Sequence, residues 1–175
     1  MKINQNYIDK NQYSRPGDKL ISVKGIVIHW TATPRATASN IRNYFQNLSK
    51  QSASDDVEDR SASAHYAIGI DGEIIEIIPV DEVAYHVGAR SYKISFGQKS
   101  PNNYLIGIEL CHKDDYGKFT NETLNACKSL VTELLQEHNL ESHNIYRHWD
   151  ITGKNCPKWF VEHPDEWTKF VNQFT

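Results

Sequence analysis

A chain of 175 residues with 39% hydrophobic and 23% charged residues has the make-up of one globular domain, long enough to enclose a sizeable core. Its net charge of -3 and pI of about 6.2, with lysines scattered rather than striped, argue against nucleic acid or an anionic membrane as partner. The N-terminal MKINQNYIDK lacks the apolar segment of a secretory signal, and no apolar run approaches the roughly 20 residues that cross a bilayer, so the expected product is made in the cytoplasm, soluble and without membrane insertion.

Residues 23–29 open the regular structure: Gly25-Ile26-Val27-Ile28 is an apolar run that predicts a buried strand ending at His29. Residues 37–50 predict a less regular helix around Ile41, Tyr44, Phe45 and Leu48. The polar stretch 51–63, QSASDDVEDRSAS, reads as a surface loop. Residues 65–70 and 73–78 are β-rich segments flanking Asp71-Gly72, the signal of a hairpin with a two-residue turn. Residues 88–103 read as a second loop, and YLIGIEL at 104–110 as a buried strand. Within 121–138, Leu124, Cys127, Leu130, Val131, Leu134 and Leu135 share one helical face, with Thr120 placed to cap it. A short last strand is expected at 144–148. A last helix is expected at 164–174, where Trp167, Phe170, Val171 and Phe174 fall at i, i+3, i+4 and i+7 behind Pro164. Strands and helices mixed in this order imply an α/β fold, a central mixed β-sheet flanked by α-helices, in a single domain over 1–175.

Three cysteines without a secretory signal argue against a disulfide framework. Cys127 falls on the apolar helical face and Cys111 at a strand end, both structural positions. Cys156 differs, because it follows His148 by eight residues in YRHWDITGKNCP. His29 and His148 each stand at the end of a predicted strand, where rigid backbone gives way to a loop that can hold a site. Two imidazoles and a thiolate leave a fourth place for water, as in a catalytic zinc site; a structural site uses four protein ligands. The competing interpretation makes each an ordinary hydrogen-bonded residue, as His112, His138, His143 and His163 are expected to be.

Glu109 sits inside an apolar strand, either on a solvated face or facing a metal as an acid–base group. Lys154 is either a solvated loop lysine or a cation aimed at an oxyanion. His86 in AYHVG is either a strand-end residue with a backbone partner or a substrate contact at a cleft rim. His65 is expected to supply a supporting hydrogen bond.

Six ordered segments, SRPGDKL, IVIHWTAT, SAHYAIGIDGEIIEIIP, AYHVGA, NYLIGIEL and IYRHWDITGKNCP, resemble the zinc-dependent N-acetylmuramoyl-L-alanine amidases of the amidase-2 type, which share a fold with the peptidoglycan recognition proteins. The likeness covers about residues 15–160. It implies one Zn2+ held by His29, His148 and Cys156, with Glu109 as catalytic carboxylate, Lys154 as transition-state cation and His86 near the substrate. The implied reaction is hydrolysis of the amide between N-acetylmuramic acid and the first L-alanine of the peptidoglycan stem peptide. The implied setting is a phage or prophage endolysin, or a bacterial autolysin, that lyses the wall after release from the cytoplasm. A C-terminal wall-binding module would then lie outside these residues, unless the domain acts alone.

Two departures refine the resemblance. Some bacteriophage amidases and catalytic recognition proteins carry a tyrosine where this chain has Ala64, with Tyr66 out of register, which implies reliance on Glu109. Cytoplasmic recycling amidases usually carry aspartate where Cys156 stands. A non-catalytic peptidoglycan-binding module and a muropeptide-recycling amidase remain the alternatives. No feature of the sequence sets the oligomeric state.

Overall fold

Six strands form one sheet in the computed structural model, which describes residues 1–51 and 59–175. They are β1 (Ile3–Gln5), β2 (Gly25–Trp30), β3 (Tyr66–Ile68), β4 (Ile74–Glu76), β5 (Leu105–Leu110) and β6 (Ile145–Arg147), in the order β1-β4-β3-β5-β2-β6. Only β3 and β4 run antiparallel; the other neighbours are parallel, so the sheet is mixed as expected. Helices α1 (Ala38–Asn47), α2 (Asn121–Glu137), α3 (His148–Thr152), α4 (Lys158–Glu162) and α5 (Pro164–Val171) pack on its faces. Among the described residues no helix is long and apolar enough to cross a membrane.

Side-chain alternation sorts the central strands into two faces. Ile26 and Ile28 of β2, Ile106, Ile108 and Leu110 of β5, and Tyr66 and Ile68 of β3 join Leu130, Val131 and Leu134 of α2 with Phe160 and Phe170 of α4 and α5. Burying each such isoleucine contributes about 1.5–3 kcal/mol, so this face supplies much of the stability. The opposite face is covered in two pieces. Helix α1 packs Ala38, Ile41 and Phe45 against Ala67 and Ile75. Val87, Phe96, Tyr104 and Ile151 pack against Val27 and Leu105. The gap between these two small cores lies over the C-terminal ends of β2 and β5, where parallel sheets place ligands.

Helix α2 begins at its expected cap, with Thr120 accepting from the Thr123 N–H, and α1 begins at Thr37, which accepts from the Asn40 N–H. The hairpin strands are shorter than the sequence suggests, and their connection spans Gly69–Glu73 rather than two residues. Thr123 and Thr120 of the α2 N-terminus donate to the carbonyls of Gly69 and Ile70, which draws those carbonyls away from the ladder. Residues 88–103 do lack strands, yet Phe96 within them is buried and Pro101–Asn103 forms a 3₁₀ turn. Most of the expected loop at 51–63 lies outside the described residues; at its edges Gln51 and Arg60 bond each other through two hydrogen bonds of 2.8 Å. The last strand ends at Arg147, not at residue 148, because Arg147 caps α3: the Asp150 carboxylate accepts from its backbone N–H at 2.8 Å and its guanidinium at 2.7 Å. His148 is therefore the first residue of a helical turn.

Candidate active site

His29 and Glu109 are register partners on adjacent parallel strands, so their side chains leave the same face of the sheet, opposite Ile28 and Ile108. A compact unit brings the other two donors to them. Helix α3 is a single turn, Gly153 reverses the chain in a left-handed conformation (φ 85°), and the Trp149 N–H donates to the Cys156 carbonyl at 3.0 Å. His148 and Cys156 thus face one another across a short loop. His29 Nδ1 lies 3.1 Å from His148 Nδ1 and 3.7 Å from Cys156 Sγ. The three donor atoms fall within 4.8 Å of one another and all three residues are buried.

This set fits a metal ion on its own chemistry. Two imidazole nitrogens and a thiol converge without a carboxylate among them, which suits a cation that accepts nitrogen and sulfur. His148 Nε2 has no hydrogen-bond partner among the described residues. Burial, with His148, His86 and Lys154 nearby, holds His29 well below its ordinary pKa. Burial and Lys154 bring His148 down to about 4. Both rings are therefore neutral near pH 7, as ligation requires. Burial and the Glu109 charge push the Cys156 thiol up to about 12, against the pull of the Trp30 backbone N–H and Lys154. A cation in the pocket reverses that balance and expels the thiol proton.

Glu109 opens partly into the cleft, but its Oε2 is sealed from solvent and has no partner among the described residues. Burial raises its pKa to about 8, with Lys154 opposing. Lys154 is exposed and lines the same cleft. His86 is buried: His29 Nε2 is 3.0 Å from its Nδ1, and its Nε2 donates to the Leu105 carbonyl at 3.1 Å. His65 is fully buried, accepting at Nδ1 from the Gly107 N–H and donating at Nε2 to the Glu82 carbonyl, the supporting role expected of it. Tyr66 packs in the core on the far face of the sheet, away from the site.

The cleft over these residues has a volume of about 490 Å³ and runs beside α1, where Asn40, Tyr44, Arg60 and Tyr85 form its walls. Sequence reasoning missed these wall residues. Tyr44 was visible only as part of an apolar helix pattern, although its ring is exposed beneath the Arg60 guanidinium. A larger groove of about 1180 Å³ lies between β1, the Asp71-Gly72 turn and α2, but its lining holds carboxylates without histidine or cysteine. The histidine–cysteine cluster and Glu109 line the smaller cleft.

The family model of N-acetylmuramoyl-L-alanine amidases of the amidase-2 type matches residues 19–159. Bacillus licheniformis has a protein named "Probable N-acetylmuramoyl-L-alanine amidase", 40% identical over 97% of this chain and 46% of that protein. The amidase CwlL of the same organism is 37% identical, with the same coverage of 97% and 46%. The chain thus spans about half the length of these curated relatives. Among solved structures, a mutant endolysin from Bacillus subtilis superposes with a TM-score of 0.76 at 28% identity, covering 100% of this chain and 99% of that one. With the family model matched over most of its length and the fold shared with an endolysin, this chain belongs to the amidase-2 family of N-acetylmuramoyl-L-alanine amidases.

Proposed function

We propose that this domain hydrolyses the amide between N-acetylmuramic acid and L-alanine in peptidoglycan, with one zinc ion held by His29, His148 and Cys156. The observation that carries the proposal is the convergence of those three donors beside Glu109 on one face of the sheet, at the floor of an open cleft. When bound, zinc supplies Lewis acidity that lowers the pKa of a water and polarises the scissile carbonyl. Glu109 accepts the proton of the attacking water as its oxygen bonds to the carbonyl carbon. Lys154, in the same cleft, faces the negative charge on the carbonyl oxygen. As the C–N bond breaks, Glu109 returns the proton to the alanine nitrogen, and the carboxylic acid left on the lactyl group gives its remaining proton to the released amine. Burial alone keeps Glu109 protonated near neutrality. A dication nearby favours its carboxylate form, so metal loading also arms the base.

The natural substrate is the cell wall, reached after release from the cytoplasm, where a C-terminal wall-binding module joined to this domain would concentrate it. The test is digestion of purified peptidoglycan by zinc-loaded and chelator-stripped protein, with mass spectrometry of the products. Stem peptides with a new N-terminal alanine, released only with zinc, are expected. Retention on sacculi without cleavage would replace the proposal with a binding module, and cleavage of soluble muropeptides alone would replace it with a recycling enzyme.

A further inference from the structure

We infer that His86 is a positioning residue for the metal site: it accepts a hydrogen bond from His29 Nε2–H and so fixes the tautomer and ring plane that present His29 Nδ1 to the ion. This rests on the metal-centre reading of the site. The chain of bonds has a direction. The Leu105 carbonyl only accepts, so His86 Nε2 carries the hydrogen in their 3.1 Å bond. A neutral His86 then offers a lone pair at Nδ1, and the 3.0 Å contact to His29 Nε2 requires the hydrogen to sit on His29. That leaves the lone pair of His29 on Nδ1, the atom facing His148 Nδ1 and Cys156 Sγ. A ligating histidine whose other nitrogen is held this way has its orientation set before the metal arrives.

Two further features hold His86 in place. Its own backbone N–H and that of Val87 donate to Asn102 Oδ1. Gly107, between Ile106 and Ile108 on β5, leaves the space that the ring fills: a Cβ there would stand 2.6 Å from His86 Cγ. The glycine in YLIGIEL is thus a seat for this imidazole. With both ring nitrogens engaged inside the protein, His86 acts on the substrate through His29 rather than by touching it.

The experiment measures zinc affinity by competition with a chelator at fixed pH, and the visible spectrum of the cobalt-loaded protein, for wild type, His86→Ala, His86→Asn and Gly107→Ala. Thermal unfolding of each metal-free form reports folding separately. His86→Ala should bind zinc about 10- to 100-fold more weakly and alter the cobalt spectrum. His86→Asn places an oxygen acceptor near the position of Nδ1 and should recover most of the affinity. Gly107→Ala, which displaces the ring without removing it, should also weaken binding. Equal zinc affinity in wild type and His86→Ala would overturn the inference. So would a loss in His86→Asn as large as in His86→Ala, which would mark the residue as filling space. A wild type that binds no zinc would instead sink the metal-centre reading itself.

Discussion

Glu109 is held in a conflict set by its place on β5: the alternation that aims it at the metal donors also removes its Oε2 from solvent. Its pKa of about 8 lies above the ordinary 4.5. The folded, metal-free protein therefore holds a proton that the unfolded chain has lost between those values, and stability falls as pH rises through that window. Glu109→Gln removes the titration. In the metal-free state it should melt above wild type at pH 8, by up to a few kcal/mol at about 1.4 kcal/mol per pKa unit, with the advantage fading toward pH 4.5. The same variant should keep zinc but lose about 10²- to 10⁴-fold in turnover. Near-normal hydrolysis of peptidoglycan would remove Glu109 from the role of base. Cys156→Ser exchanges a soft donor for a weak one. It should reduce zinc affinity beyond the roughly 10- to 100-fold of losing an outer-shell partner, and unchanged metal content after dialysis against a chelator would count against the ligand set. These residues were legible in the sequence because each breaks a local pattern: a histidine ending an apolar run, a carboxylate within one, a cysteine outside any helical face. The seat of His86 against Gly107 was not legible, because it depends on the placement of a distant loop against β5.

At the scale of elements, the α3 turn and its return loop bring together two donors of the proposed metal site, His148 and Cys156. Gly153 sits at φ 85° and, among the described residues, only the flexible Lys93 side chain lies near the position of a Cβ, so Gly153→Ala meets backbone strain rather than a steric wall. The strain should lower stability by about 1–2 kcal/mol. Because Cys156 hangs from this reversal, zinc affinity should fall as well. Melting curves with and without metal separate the two effects: if the zinc-induced rise in Tm is the same as in wild type, the loop is not what sets the ligand geometry. The cap of α2 and the strands β2 and β5 could be read from local chemistry, since Thr120 and the apolar runs act within a few residues. Strand β1, α3 and α4 escaped notice, being three and five residues long and stabilised by partners far along the chain. Single-turn helices carry too short a pattern for periodicity to detect.

At the scale of the whole molecule, the cleft exists because one sheet face is covered by two separate cores, and polar groups fill the seam. Four buried histidines lie there: His29, His65, His86 and His148. Burial lowers His65 and His148 from 6.5 to about 4, and holds His29 and His86 well below 6.5. Unfolded chains take up these protons first, so the stability that neutral histidines confer is present above 6.5 and lost as pH falls toward 4. A shift of that size corresponds to about 3 kcal/mol for a single histidine. Glu109 acts with the opposite sign, weakening the fold from 4.5 upward to 8. The metal-free protein should therefore have its highest Tm near pH 6 to 7, with the acid limb steeper because several histidines contribute and one carboxyl opposes. Zinc changes both limbs. On the alkaline side it favours the Glu109 carboxylate and removes the decline; on the acid side it competes with protons for His29 and His148 and adds binding free energy to the folded state. Thermal unfolding from pH 4.5 to 8.5, with zinc and with chelator, measures all of this in one series. A metal-free Tm that stays level from pH 6.5 to 5 would show that the seam histidines are not held neutral, and with that the pre-organisation of the metal site would lose its physical basis.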